Sequence, residues 1–150
     1  MPKPPPGDDS VGRMQFLLSL RQRGIMDAAV LSRLAREVVS VERYRTLAEA
    51  ARGRLTTLGY DNVEVIVADG LGGVPARAPY DRIMVTAAAE SVPDALVDQL
   101  ATGGVMMLPL GPHAGTQRLV KLTKTADGVQ REDLIAVRFV PLLPGPAREL

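Results

Sequence analysis

The sequence contains no cysteine and no tryptophan. Without thiols the chain can form no disulfide, no cysteine-ligated zinc site and no thiol nucleophile. Three tyrosines and two phenylalanines are its entire aromatic complement, too few for a platform that stacks single-stranded bases. An excess of one charge is also lacking. Eighteen Lys and Arg balance 17 Asp and Glu, so no field draws the chain to nucleic acid or to an anionic membrane. No apolar run is long enough to span a bilayer. The opening MPKPPPGDDS places prolines where an export signal needs an apolar stretch. Histidine occurs once, at His113, and no group of acids has metal-ligand spacing, so no metal is expected. These absences leave a cytoplasmic globular protein.

What is present is patterned apolar sequence, with 46% hydrophobic residues in 150, enough for one domain with a real core. Residues 1–10 read as a disordered tail, 11–145 as a single domain and 146–150 as a loose end. From Ser10, SVGRMQFLLSLRQRG puts Met14, Leu17 and Leu18 on one helical face, with Gly24 as the stop. Asp27 can cap a second helix, AAVLSRLAR, with Val30, Leu31 and Leu34 on its buried stripe. EVVSVE reads as a β-branched strand. A helix follows with Leu47, Ala51, Leu55 and Leu58 at helical spacing, closed by Gly59. VEVIVADG and DRIMVTAAAE are nearly continuous apolar runs, as in strands covered on both faces. Between them, LGGVPARAPY reads as a loop. SVPDALVDQLATGG is predicted as a helix capped by Ser91, and GVMMLPLG as a fourth strand. The rest contains no helix pattern and reads as an antiparallel hairpin turning around Asp127-Gly128. Alternating β and α units with a terminal hairpin predict a three-layer α/β sandwich.

In open parallel sheets, ligands sit beyond the carboxyl ends of the strands. That rule selects Glu42, Asp69, Gly70 and Thr86. An acid after a strand can accept both hydroxyls of a ribose, and one beside a glycine can accept from an amino group such as adenine's. A solvated loop residue is the plainer reading of each acid alone. His113 has no serine or acid near it in sequence to make a triad. GLGG, residues 70–73, lacks G-x-G-x-x-G spacing and reads as a flexible turn. Met106 and Met107 read as core, and QRED, residues 130–133, as a solvated hairpin.

Three stretches carry more than generic α/β character: AAVLSRLAREVVSVERYRTLAEAARGRLTTLGYDNVEVIVADG, APYDRIMVTAAAESVPDALVDQLATGGVMMLPLGP and REDLIAVRFVPLLPG. Together they resemble the protein-L-isoaspartate O-methyltransferase family, almost unbroken from Ala28 to about Gly145. The segment RMQFLLSLRQRGIMD looks like that family's extreme N-terminal helix. The resemblance implies a Rossmann-like methyltransferase sandwich, S-adenosylmethionine as methyl donor and isoaspartyl-containing proteins or peptides as acceptors. By motif match it implies that Glu42 holds the ribose hydroxyls and that Asp69 and Gly70 lie against adenine. Thr86 and Ala87 would border the transferring methyl, and the backbone of Val140 would touch the peptide.

The departure from the family is as informative. Between RGIMD and AAVL the family carries a serine-containing substrate loop, the first and central strand, and a glycine-rich turn, and none of these sequences is present. No catalytic residue can therefore be carried over, since the family's loop serine is absent. Cofactor binding is expected to be weak, and the sheet to miss its first, central strand. The helix at residues 11–23 is not expected to serve as a replacement. Two further readings stay open: a non-catalytic remnant that self-associates through exposed sheet edges, and an NAD-dependent oxidoreductase, since Glu42 would suit that ribose too.

Overall fold

The computed structural model describes residues 13–17 and 24–144. The expected tail at 1–10 and the loose end at 146–150 lie outside these residues. Among the described residues seven strands form one sheet: β1 (Arg13–Leu17), β2 (Glu37–Glu42), β3 (Val63–Val67), β4 (Tyr80–Val85), β5 (Leu100–Leu110), β6 (Gln117–Thr125) and β7 (Gly128–Val137). Their order across the sheet is β3-β2-β1-β4-β5-β6-β7. The first five strands are parallel, and β6 and β7 are antiparallel to their neighbours. The described residues also form three α-helices: α1 (Gly24–Ser32), α2 (Arg45–Thr57) and α3 (Asp94–Gln99).

The centre of the sheet is where sequence and structure diverge. The place between β2 and β4 is filled, by Arg13–Leu17, residues whose spacing predicts a helix. Met14 pairs with Val38 on one side and Arg82 on the other, and Leu17 pairs with Val41 and Val85. The physical reason lies in the run MQFLL, which is apolar enough to satisfy either period. A short apolar run of this kind cannot be assigned to helix or strand from periodicity alone. Two flanking strands with open ladders decide the matter, because each unpaired buried backbone group costs about 1–3 kcal/mol. The family's own strand sequence is absent, yet the sheet has no central gap. Gly24, expected to stop a helix, instead begins α1.

The two faces are covered separately. Val38, Val63 and Met84 meet Ala28, Leu31 and Ala35 of the α1 region, while α2 adds Ala48 and Leu55 against Val65. On the opposite face Val39, Val41, Ile83, Val85, Met106, Leu108, Val120 and Leu122 pack with Leu96 of α3 and with Leu100. The result is three layers, as expected. The buried stripe of α1 differs from the expected one: Leu31 is buried, whereas Val30 and Leu34 are 60% and 61% exposed. Asn62 supports that helix end, its Nδ2 donating to the carbonyls of Ser32 and Ala35 at 2.7 and 3.1 Å. α2 closes as expected at Gly59, with φ of 76°. α3 is shorter than expected. It is preceded by Pro93 without a side-chain cap, so Ser91 does not cap it, and Leu100–Gly103 already belong to β5.

β3 is an edge strand rather than one covered throughout, and only Val65 in it is buried. The ladder with β2 uses its even-numbered residues, leaving the Val65 carbonyl on the outer edge. Arg52 of α2 occupies that carbonyl, donating from Nε at 2.9 Å and Nη2 at 2.6 Å. At the amino end of the parallel strands Arg77 bridges Glu37 and Glu64, the latter at 2.8 Å. β7 is the other edge, carrying Arg131, Glu132 and Asp133 and a register irregularity in its pairing with β6, both devices that discourage further strand pairing.

Candidate functional site

The carboxyl ends of the parallel strands gather the residues expected there. Glu42 ends β2. Asp69 and Gly70 follow β3, with the Ala68 N–H donating to the Glu42 carbonyl at 3.1 Å. Thr86 and Ala87 follow β4, with β1 lying between β2 and β4. At about 4.8 Å per strand, the span from β3 to β4 is about 14 Å, room for a nucleoside with an attached chain.

Glu42 is 2% exposed. Its Oε1 accepts from the Tyr44 N–H at 2.8 Å, while among the described residues Oε2 is buried without a hydrogen-bond partner, as is Nε of the adjacent Arg43. Burial raises the carboxyl from 4.5 to about 7, against the lowering effects of the Tyr44 and Arg43 N–H groups and the Arg43 charge. Oε2 has no donor among the described residues, and a hydroxyl of a ribose would supply one. The site therefore fits the nucleoside part of S-adenosylmethionine.

Asp69 has a structural task as well. Its Oδ1 accepts from the Leu71 N–H at 2.9 Å and caps a short 3₁₀ turn, Gly70–Gly72. GLGG, expected to be flexible, is pinned. Gln99, 6% exposed, accepts from the Val74 N–H at 2.9 Å and donates to the Gly72 carbonyl at 2.8 Å. The buried Tyr80 hydroxyl donates to the Val74 carbonyl at 2.8 Å. Gly73 is the glycine this packing demands. Its φ is +61°, and an added Cβ would stand 2.5 Å from Gln99 Oε1.

Ala87 is wholly buried. Val140 lies beside this site but not through its side chain, which is 54% exposed. Its carbonyl accepts from the Ala88 N–H at 2.7 Å, and the Leu142 N–H donates to the Ala88 carbonyl at 2.8 Å. The structure thus brings Val140 within two residues of Thr86 and Ala87 along the paired backbone. His113 is an exposed loop residue, and Met106 is core. Among the described residues there is no metal-binding group of His, Cys, Asp or Glu, and no helix long and apolar enough to cross a membrane. Gln99, which holds the 70–74 turn, and Arg43, beside Glu42, are residues that sequence patterns do not reveal.

Parallel strands flanked by helices, an antiparallel terminal hairpin and a buried acid ending the second strand define an α/β methyltransferase fold. Solved S-adenosylmethionine-dependent methyltransferases share it, one from Clostridium acetobutylicum at a TM-score of 0.53 and 10% identity over 87% of this chain and 68% of that one. The chain belongs to the protein-L-isoaspartate(D-aspartate) O-methyltransferase family, whose model matches residues 23–146. It is 55% identical over 124 residues to the protein-L-isoaspartate O-methyltransferase of Rhodopseudomonas palustris BisB18, covering 82% of this chain and 57% of that protein. With the one from Nitrobacter winogradskyi it shares 51% over 145 residues, 96% of this chain and 64% of that protein. A solved protein-L-isoaspartate O-methyltransferase superposes with a TM-score of 0.76 at 30% identity, over 86% of this chain and 41% of that one. The chain thus spans 57–64% of the length of these two sequence relatives, in keeping with the missing internal segment.

Proposed function

We propose that this chain binds S-adenosylmethionine and directs its methyl group to the side-chain carboxylate of L-isoaspartyl residues in damaged proteins. The observation that carries the reading is Oε2 of Glu42 at the end of β2, buried and without a partner among the described residues. Glu42 would hold the ribose hydroxyls, Asp69 and Gly70 the adenine edge, and Thr86 and Ala87 would line the path of the methyl. Val140 would present backbone to the acceptor peptide.

When bound, the cofactor supplies a methyl group activated by a sulfonium. The acceptor carboxylate, ionised at neutral pH, would be a sufficient nucleophile toward that group, with Thr86 and Ala87 lining its approach and the Val140 backbone holding the acceptor. No proton need be moved, so the protein's contribution is alignment and exclusion of water. The missing glycine-rich turn removes backbone donors from the amino-acid end of the cofactor, so affinity rests on the nucleoside end. Charged hydrogen bonds contribute about 1.5–3 kcal/mol each, against an association cost of about 4–15 kcal/mol. Binding is expected to be weak.

Ribose hydroxyls donate to the ionised carboxylate, so affinity should depend on the charge state of Glu42. Calorimetric titration with S-adenosylhomocysteine should show binding tighten as pH rises from 6 to 8, by about tenfold. Glu42→Gln should weaken binding at pH 8 and flatten this dependence. Equal affinity for wild type and Glu42→Gln at both pH values would refute the assignment of Glu42.

A further inference from the structure

Gln117 opens β6 and is 1% exposed. Its Nε2 donates to the carbonyls of Pro112 and Gly115 at 3.0 and 3.3 Å, and its Oε1 accepts from the Phe139 N–H at 2.9 Å. The amide thus uses both donors and its acceptor on two separate segments. The loop it holds is closed tightly: Gly111 has φ of +146°, and an added Cβ would stand 3.1 Å from Gln117 Cα.

The topology gives this arrangement a consequence. β5 ends at Leu110 and β7, running the same way, ends at Val137. Residues 138–142 then turn back across the sheet to reach Ala88. The buried Leu142 and the Ala88 backbone anchor the far end of the crossing. Gln117 anchors the near end, through Phe139. Between these anchors Phe139 and Val140 are 38% and 54% exposed, and the Val140 carbonyl bonds Ala88, next to the Thr86–Ala87 strand end.

We propose that Gln117 is a positioning residue for the acceptor: it fixes residues 138–142 and the 111–116 loop at one height beside Thr86 and Ala87, forming a ledge along which an extended peptide lies. This rests on the methyl-transfer reading above. The ligand is a peptide whose backbone pairs with the crossing segment and whose carboxylate points toward Thr86.

The test uses Gln117→Met, which preserves volume and removes all three hydrogen bonds. Affinities for S-adenosylhomocysteine and for a short isoaspartyl peptide are measured by calorimetry, and exchange of the Phe139 amide by NMR. In the variant, Phe139 exchange should accelerate and peptide affinity fall by about tenfold, the factor carried by one net hydrogen bond. Cofactor-product affinity should stay within about twofold, a change of under half a kcal/mol. A second variant, Gln117→Glu at pH 5, should restore much of the peptide affinity, because a protonated carboxyl can donate to Pro112 and still accept from Phe139. Unchanged peptide affinity alongside faster Phe139 exchange would overturn the proposal. So would parallel loss of both ligands and of the cooperative melt in both variants, which marks a merely structural residue. A wild-type chain that binds the cofactor product but no peptide overturns the ledge and leaves the cofactor site standing; one that binds neither overturns both.

Discussion

At the scale of the single residue, Glu42 pulls folding and binding in opposite directions. Its carboxyl titrates near 4.5 ordinarily and at about 7 in the fold, so between those pH values the folded state holds more protons than the unfolded one. Stability of the free protein therefore falls as pH rises through this window. Above it, the ionised form costs the fold about 3 kcal/mol. Glu42→Gln keeps an acceptor for Tyr44 and removes the charge. Urea melts at pH 8 should show the variant more stable than wild type by about 2–3 kcal/mol, with the two converging toward pH 4.5. A wild-type stability that is flat from pH 5 to 8 would contradict this. Glu42 is legible in the sequence because a strand-end acid needs only local pattern. Gln99 and Gln117 are not. Their partners lie 25 residues upstream, at Val74, and 22 downstream, at Phe139, distances over which spacing carries no information about contact.

At the scale of the element, most of the chain follows its own pattern. β2, α2, β4, β5 and the hairpin have the expected character, since β-branched runs, helical spacing and Gly59 all agree with the tertiary fold. Residues 13–17 do not, because their run fits two periods and the choice is made by the ladders of β2 and β4. A pair of substitutions at the middle of β1 distinguishes the two states. In a strand Gln15→Val should be more stable than Gln15→Ala by up to about 1 kcal/mol, or about 2–4 °C in melting temperature for a chain of this size. In a helix the order reverses, by about half a kcal/mol. Thermal melts of the two variants decide it by sign alone. The length of α3 is illegible for a related reason: Leu100 and Ala101 continue a helical pattern, but pairing of Tyr80 with Leu100 claims them for the sheet.

At the scale of the whole molecule, the question is whether the shortened chain stays apart from its copies. Its central strands are paired, and its outer edges are blunted by Arg52 on one side and by the charges and irregularity of β7 on the other. Light scattering coupled to size-exclusion chromatography should find a monomer near the sequence mass of 16.0 kDa. Arg52→Ala frees the Val65 carbonyl on the β3 edge, and should give species that grow with concentration and a loss of about 1–2 kcal/mol. A wild-type protein that is already a stable dimer would mean that these edges do not control association.

The filled centre also bears on the order of synthesis. Met14 is placed opposite Arg82, a partner translated about 70 residues later, which at about 5–20 residues per second is a wait of several seconds. Through that interval the apolar Met14, Phe16 and Leu17 have no sheet to pair into. β1 thus joins the sheet's middle only after the chain on both sides of it exists. Of all its strands, the one holding the two halves together is the one most exposed to the hazards of being made.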